Sequence, residues 1–175
     1  MSTSRSQRSA RAGAETELVP MDAPAFRTFV EQTAVEYAAD KVASGQWRAS
    51  DAEAMARREL DELLPQGLAT PGHRLFTLCD AESGDAVGTL WIAEQVRGGR
   101  TIAYVYDIAV APAHRRRGHA ARAFEALEAM VRDFGWAGIA LHVFGHNDGA
   151  RALYEGLGFR PTNIHLFKEV APAKA

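Results

Sequence analysis

The stretch from Tyr106 to Met130 constrains this chain more than any other. The apolar run Thr101 to Val110 predicts a strand, Pro112 a turn, and Phe124, Leu127, Met130 and Val131 recur at the spacing of a helix. Between strand and helix stand Arg115, Arg116, Arg117, Gly118, His119 and Ala120. The first N–H groups of a helix have no intrahelical partner and carry the positive end of its dipole. A strand, basic loop and helix start in series therefore suit an anion such as a phosphate or pyrophosphate. Gly118 and Ala120 leave room for that anion to approach the backbone, and the arginines supply charge-assisted donors. The plainer reading of three consecutive arginines is a solvated surface patch. The loop has neither the Gly-Lys-(Ser/Thr) ending of a nucleoside-triphosphate loop nor the Gly-x-Gly-x-x-Gly pattern of a dinucleotide site.

The remainder of the chain narrows the classes further. With 175 residues, 47% of them hydrophobic, it has enough length for one globular domain with a buried core. The net charge of -2 makes the basic cluster local, which argues against a general nucleic-acid surface. Cys79 is the single cysteine, so no intramolecular disulfide is available; a buried structural thiol and a reducing, cytoplasmic location are expected. Residues 1-16 are rich in Ser, Arg and Ala without an apolar segment and are expected to be a disordered tail, with the domain at 17-170 and a short tail at 171-175. No apolar run approaches the length of a membrane span, so no membrane partner is expected.

Taken in order, Glu17 to Pro20 predicts a strand. Asp22 is a helix cap with Pro24 in the first turn, and the helix runs to about Ala43 and ends near Gly45. Ser50-Asp51-Ala52-Glu53 has the pattern of a capping box for a second helix that stops at Pro65. Strands at Leu75 to Asp80, Ala86 to Glu94 and Thr101 to Val110 are separated by Ser83-Gly84-Asp85 and Arg97-Gly98-Gly99-Arg100, the turn chemistry of an antiparallel meander. After the central helix come a strand at Ile139 to Phe144, a short helix from Asn147 through Tyr154, and terminal strands around Phe159-Arg160 and Ile164 to Val170.

Two motifs carry a family resemblance. Arg115-x-x-Gly118-x-Ala120 directly after a strand is similar to the (Arg/Gln)-x-x-Gly-x-(Gly/Ala) loop of the GNAT superfamily of acyl-CoA-dependent N-acyltransferases, and Asn147-x-x-Ala150-x-x-x-Tyr154-x-x-x-Gly158-Phe159 is similar to the segment after that superfamily's fifth strand. The segment Leu64 to His73 also resembles a bacterial subgroup of these proteins. The resemblance covers roughly residues 17-170. It implies an α/β fold with a mixed, mostly antiparallel sheet of about seven strands and four helices, splayed between the fourth and fifth strands.

The resemblance also implies a chemistry. Acetyl-CoA would be the acyl donor, CoA the product and an amine the acceptor. The pantetheine arm would pair with backbone opened by the splay near Ile108, Ala109 and Val110 on one side and Leu141 to Val143 on the other. The pyrophosphate would sit on Arg115, Arg116, Arg117, Gly118, His119 and Ala120, with Asn147 and Ala150 as further cofactor contacts. A backbone N–H near Ala109 or Val110 would receive the developing oxyanion. Tyr154 would be the acid for the departing thiolate and another cofactor contact; as a residue alone, without the flanking motif, it reads as a core aromatic. Asn147 alone is a helix cap.

The base stays open among Asp107, Tyr104 and a water held by them, because strand parity near a bulge is not legible in sequence. Glu31 and Glu36 could attract a cationic amine, or be plain surface charges. Trp47 and Trp91 could line the acceptor pocket or pack in the core. His142 and His146 are four apart but on a strand and its loop, so no metal site is expected. The oligomeric state stays open, a homodimer included. Beside the N-acetyltransferase stands a non-catalytic acyl-CoA-binding regulatory module, in which Tyr154 does no chemistry.

Overall fold

The computed structural model describes residues 15–170. Strand β1 (Thr16–Pro20) leads into helix α1 (Ala23–Ala43), helix α2 (Ala52–Leu63), strands β2 (His73–Asp80), β3 (Ala86–Arg97) and β4 (Arg100–Val110), helix α3 (His119–Asp133), strand β5 (Ile139–Leu141) and helix α4 (Asp148–Gly156). The sheet is five-stranded in the order β1-β2-β3-β4-β5. Its first four strands are antiparallel neighbours, and β5 joins β4 in parallel after the α3 crossover.

The alternation of the strands builds a core on each face. Phe76, Leu78, Leu90, Ile92, Ala103 and Val105 point to α3, which meets them with Ala123, Phe124, Leu127 and Val131. Leu75 and Trp91 point the other way, to α1 and α2. There Ala34 and Ala38 on α1, and Ala52 and Ala56 on α2, are spaced one turn apart and fully or nearly buried. Their small side chains let α1 and α2 lie close. Burying side chains such as Phe29, Phe124 and Leu127 contributes about 1.5–3 kcal/mol each.

Several expectations are met in detail. Asp22 Oδ1 accepts the Ala25 N–H at 2.8 Å, and Gly45 follows α1 with φ 72°. The β3–β4 turn carries positive φ at both Gly98 and Gly99, the conformation a tight hairpin demands. Other expectations need correction. Asp51, not Ser50, caps α2 and makes no side-chain cap bond, and Glu53 pairs with Arg57 at 2.8 Å instead of closing a capping box. β1 begins at Thr16, one residue before the expected Glu17, and the Thr16 side chain is buried. Residues 1–14 and 171–175 lie outside the described residues. Cys79 is partly buried in β2, and burial raises its thiol pKa.

The larger correction is the strand count. The sheet holds five strands among the described residues, not about seven. β5 stops at Leu141 instead of reaching Phe144, and Phe159-Arg160 and Ile164 to Val170 form no strand. Phe159 instead packs its ring on Phe124 and Tyr154. Ile164, Leu166, Phe167 and Val170 stand exposed, their apolar alternation unmatched by a sheet neighbour. A run of strand-forming residues needs a paired edge as well as a pattern, which is a tertiary condition.

Candidate active site

A bulge turns the site toward one face. Trp91 pairs with Asp107 and Ile92 with Val105, so Tyr106 is an extra residue of β4 without a partner on β3. Strict alternation would send Asp107 to the α3 face with Ala103 and Val105. After the bulge, Asp107 shares the face of its partner Trp91, beside Tyr104 and Tyr106 and toward α1. Tyr106 stacks on Trp91 at 4.6 Å between ring centroids and meets Tyr104 edge-on at 4.9 Å. Trp91 Nε1 donates to His73 Nδ1 at 2.9 Å, which fixes the indole at the base of this aromatic group.

The same strand then parts from its neighbour. β4 and β5 are paired only at Ala103↔Ile139, Tyr104↔Ala140 and Val105↔Leu141, whereas β4 runs on to Val110. The expected splay is present; Leu141 is its last paired residue, and the gap opens from His142 onward. A cleft of about 1200 Å³ occupies it, reached by Asp107, Ile108, Ala109 and Val110 from one side and Leu141, His142, Val143 and Phe144 from the other. At the end of β4 the chain is pressed on β3: a Cβ on Gly88 would meet the Ala109 carbonyl oxygen at 2.1 Å and the Val110 Cα at 3.1 Å. Only glycine admits this approach.

The basic loop closes one end of the cleft. Arg116 has φ 60° and Gly118 has φ 90°, so the chain turns twice through the left-handed region before α3 begins. The first helical bond runs from the Arg122 N–H to the Gly118 carbonyl at 3.0 Å, which leaves the N–H groups of His119, Ala120 and Ala121 without helical acceptors. Nothing lies within 4 Å of a Cβ placed on Gly118. The arginines differ. Arg115 Nε donates to the Val110 carbonyl at 2.9 Å, tying the loop to β4. Arg115, Arg116, Gly118, His119 and Ala120 line the cleft, and Arg117 does not. His119 offers only backbone there, because its ring is buried with Nδ1 2.9 Å from Thr16 Oγ1.

Helix α4 supplies the opposite wall. Asn147 Oδ1 accepts the Ala150 N–H at 3.1 Å, so its side chain is the helix cap, and both residues line the cleft. Tyr154 reaches the cleft with its ring seated on Phe124 at 5.7 Å. Burial first, and then the charge of Asp107, push its phenol up to about 12. Asp107 itself is pushed up to about 7 by burial and by the carboxylates of Glu36 and Asp40, with the Thr89 hydroxyl opposing. A carboxyl poised near neutrality beside a firmly protonated phenol is an acid–base arrangement.

Of the other expected residues, Trp91 is 2% exposed and belongs to the core while still bordering the cleft. Trp47 packs on Tyr37 at 5.4 Å and does not line it. Glu36 lines the cleft and Glu31 does not. Among the described residues no group of three or more His, Cys, Asp or Glu side chains could hold a metal ion, and no helix is long and apolar enough to cross a membrane. Sequence reasoning missed Asp40, Glu59 and Gly88. Asp40 was within reach, since it follows Glu36 by one helical turn; Glu59 required the packing of α2 on α1.

The residues present fit an acyl-CoA: N–H groups without helical acceptors for a pyrophosphate, an opened strand pair for pantetheine amides, and a cleft lined by Asp107 and Tyr154 that joins the two. Comparison with known proteins agrees. The model of the "Acetyltransferase (GNAT) family" matches residues 36–159. The "Uncharacterized N-acetyltransferase YycN" of Bacillus subtilis is 37% identical over 153 residues, 87% of this chain and 97% of its own. Another Bacillus subtilis protein, the "Uncharacterized N-acetyltransferase YdgE", is 27% identical over 83% of this chain and 92% of its own. The crystal structure of YycN superposes with a TM-score of 0.85, covering 90% of this chain and 99% of that one at 36% identity. A putative acetyl transferase from Pyrococcus furiosus shares the fold, with a TM-score of 0.61 at 21% identity, covering 89% of this chain and 100% of its own.

Proposed function

Because this chain belongs to the acetyltransferase (GNAT) family, we propose that it transfers the acetyl group of acetyl-CoA to a primary amine by direct attack within a ternary complex. The observation that carries this reading is the placement of Asp107 and Tyr154 in one cleft with the free N-terminus of α3. When bound, acetyl-CoA supplies an activated acyl carbonyl and a thiolate leaving group. The residues of the chain do the rest.

The α3 N-terminus and Arg116 hold the anionic end, and Arg115 keeps the loop against β4. Backbone N–H groups at Ala109 and Val110 are the candidates for stabilising charge on the carbonyl oxygen, and Gly88 sets their depth. Asp107 accepts the proton that an ammonium must lose before its nitrogen can attack. Tyr154 donates to the departing sulfur. Its elevated pKa makes full proton transfer uphill while Asp107 is ionised. Burial is the larger cause of that elevation and persists, but once Asp107 has taken the amine proton the smaller contribution from its charge is gone, and Tyr154 becomes a somewhat better donor as the C–S bond breaks.

Thiol release from acetyl-CoA across an amine panel tests the reading. The expected result is release that depends on amine, with the acetyl group recovered as an amide. CoA binding without amine-dependent release at any pH would favour a regulatory module that binds acyl-CoA and catalyses nothing.

A further inference from the structure

The cleft is chemically divided, basic where the loop before α3 lines it and acidic where α1 and α2 do. Glu36 and Asp40 on α1, Glu59 on α2 and Asp107 on β4 all line it. Leu60 and Leu63 from α2, with the rings of Tyr104 and Tyr106, give the space between these carboxylates an apolar lining. Lys41 also borders this half, but its Nζ lies 3.0 Å from Gln46 Oε1 and 5.2 Å from the ring centroids of both Tyr37 and Trp47. Glu59 is oriented by the Tyr37 hydroxyl, which donates to Oε2 at 2.8 Å. Glu36 has no ion pair among the described residues.

Several carboxylates set among aromatic and aliphatic side chains in one cleft match a slender chain that carries more than one positive charge. Aromatic faces and carboxylates together hold an alkylammonium well. His146 Nε2 lies 3.1 Å from Asp40 Oδ1, linking the β5–α4 loop to α1. Resting on the acyltransferase reading above, we propose that the acceptor is an aliphatic di- or polyamine, with the distal ammonium held by Glu36, Asp40 and Glu59 and the reacting amine at Asp107. The reacting ammonium gives one proton to Asp107. Its nitrogen then bonds to the acyl carbon as the C–S bond breaks, Tyr154 gives its proton to the sulfur so that CoA leaves as the thiol, the second proton that the nitrogen sheds on becoming an amide returns to Tyr154, and the distal ammonium stays charged throughout.

The experiment compares 1,4-diaminobutane and spermidine with butylamine, 4-amino-1-butanol and a lysine-containing peptide, by thiol release at low salt. Binding of spermidine to the CoA-saturated protein is measured in parallel by calorimetry. The expected result is a kcat/KM at least about tenfold higher for the diamine than for butylamine, from roughly 1.4 kcal/mol or more of added ionic binding. Glu36→Gln should pull that ratio toward one and weaken spermidine binding, and Glu36→Asp should restore part of both. Equal efficiency with butylamine, preference for the peptide, or a ratio unchanged in Glu36→Gln would overturn the inference and leave an acyltransferase with another acceptor. Absence of release with every amine would overturn both.

Discussion

The carboxyl of Asp107 and the phenol of Tyr154 titrate as neighbours: the charge of Asp107 is among the causes that hold Tyr154 up to about 12, after burial. They come from distant elements, β4 and α4, and the bulge at Tyr106 turns Asp107 toward the cleft that Tyr154 also lines. The charge on the proposed base therefore adds to what burial does to the proton affinity of the proposed acid, whereas the shift of Asp107 itself comes from burial and from Glu36 and Asp40.

For Asp107 the coupling has a pH signature. With its carboxyl at about 7, kcat/KM should rise with pH through an inflection near neutrality as the base ionises. Asp107→Asn should lower turnover by about 10²–10⁴-fold and remove that inflection. An unchanged acidic limb would assign the base elsewhere, with Tyr104 and a bound water as the remaining candidates.

Stability should follow the same group. The folded state holds the Asp107 proton more tightly than the unfolded chain, where the carboxyl titrates near 3.8. Its stabilising contribution is present below about pH 4 and is lost as pH rises through about 7, on the order of a few kcal/mol at most. Urea unfolding at pH 5 and pH 8 should show wild type falling more steeply than Asp107→Asn.

At the basic loop, Gly118→Glu would combine strain at φ 90° with a negative charge at the helix N-terminus, and CoA affinity should fall by more than tenfold in calorimetry. Arg116→Ala should cost about 1–3 kcal/mol of CoA binding, one charge-assisted bond, while Arg117→Ala, outside the cleft, should change nothing. Equal effects at both arginines would contradict the difference in their placement.

Gly88 tests the depth of β4. A Cβ there meets backbone atoms, which cannot rotate away, so Gly88→Ala should destabilise the fold by about 1–3 kcal/mol. It should also lower kcat by displacing Ala109 and Val110. Full activity in a destabilised variant would remove that backbone from the reaction.

The order of elements, the meander turns and the strand–loop–helix unit were legible in the sequence because each is written locally, in periodicity and in glycine, proline and cap residues. Asp22 before Pro24, and Gly98-Gly99 between two apolar runs, specify their geometry almost without tertiary context. Asp107 was legible only as one candidate base. Its facing depends on one unpaired residue, Tyr106, and nothing in the string Tyr104-Val105-Tyr106-Asp107 marks where alternation breaks. The end of the chain misled for the opposite reason, since Ile164 to Val170 has strand chemistry and no neighbour in the sheet. Which of the three adjacent arginines faces the cleft was not legible, because the left-handed turn at Arg116 and the Arg115–Val110 bond that distinguish them are set by the folded loop.

Tyr154→Phe bears most directly on the coupled acid–base pair. The substitution keeps the ring against Phe124 and Phe159 and removes the proton available to the leaving sulfur. Acetyl-CoA affinity by calorimetry and thermal stability should stay within error of wild type. Both kcat and kcat/KM should fall by roughly tenfold to a thousandfold, at or below the general-acid range, because a thiolate is already a tolerable leaving group. Wild-type turnover by Tyr154→Phe across the pH profile would contradict the account and make Tyr154 a packing residue.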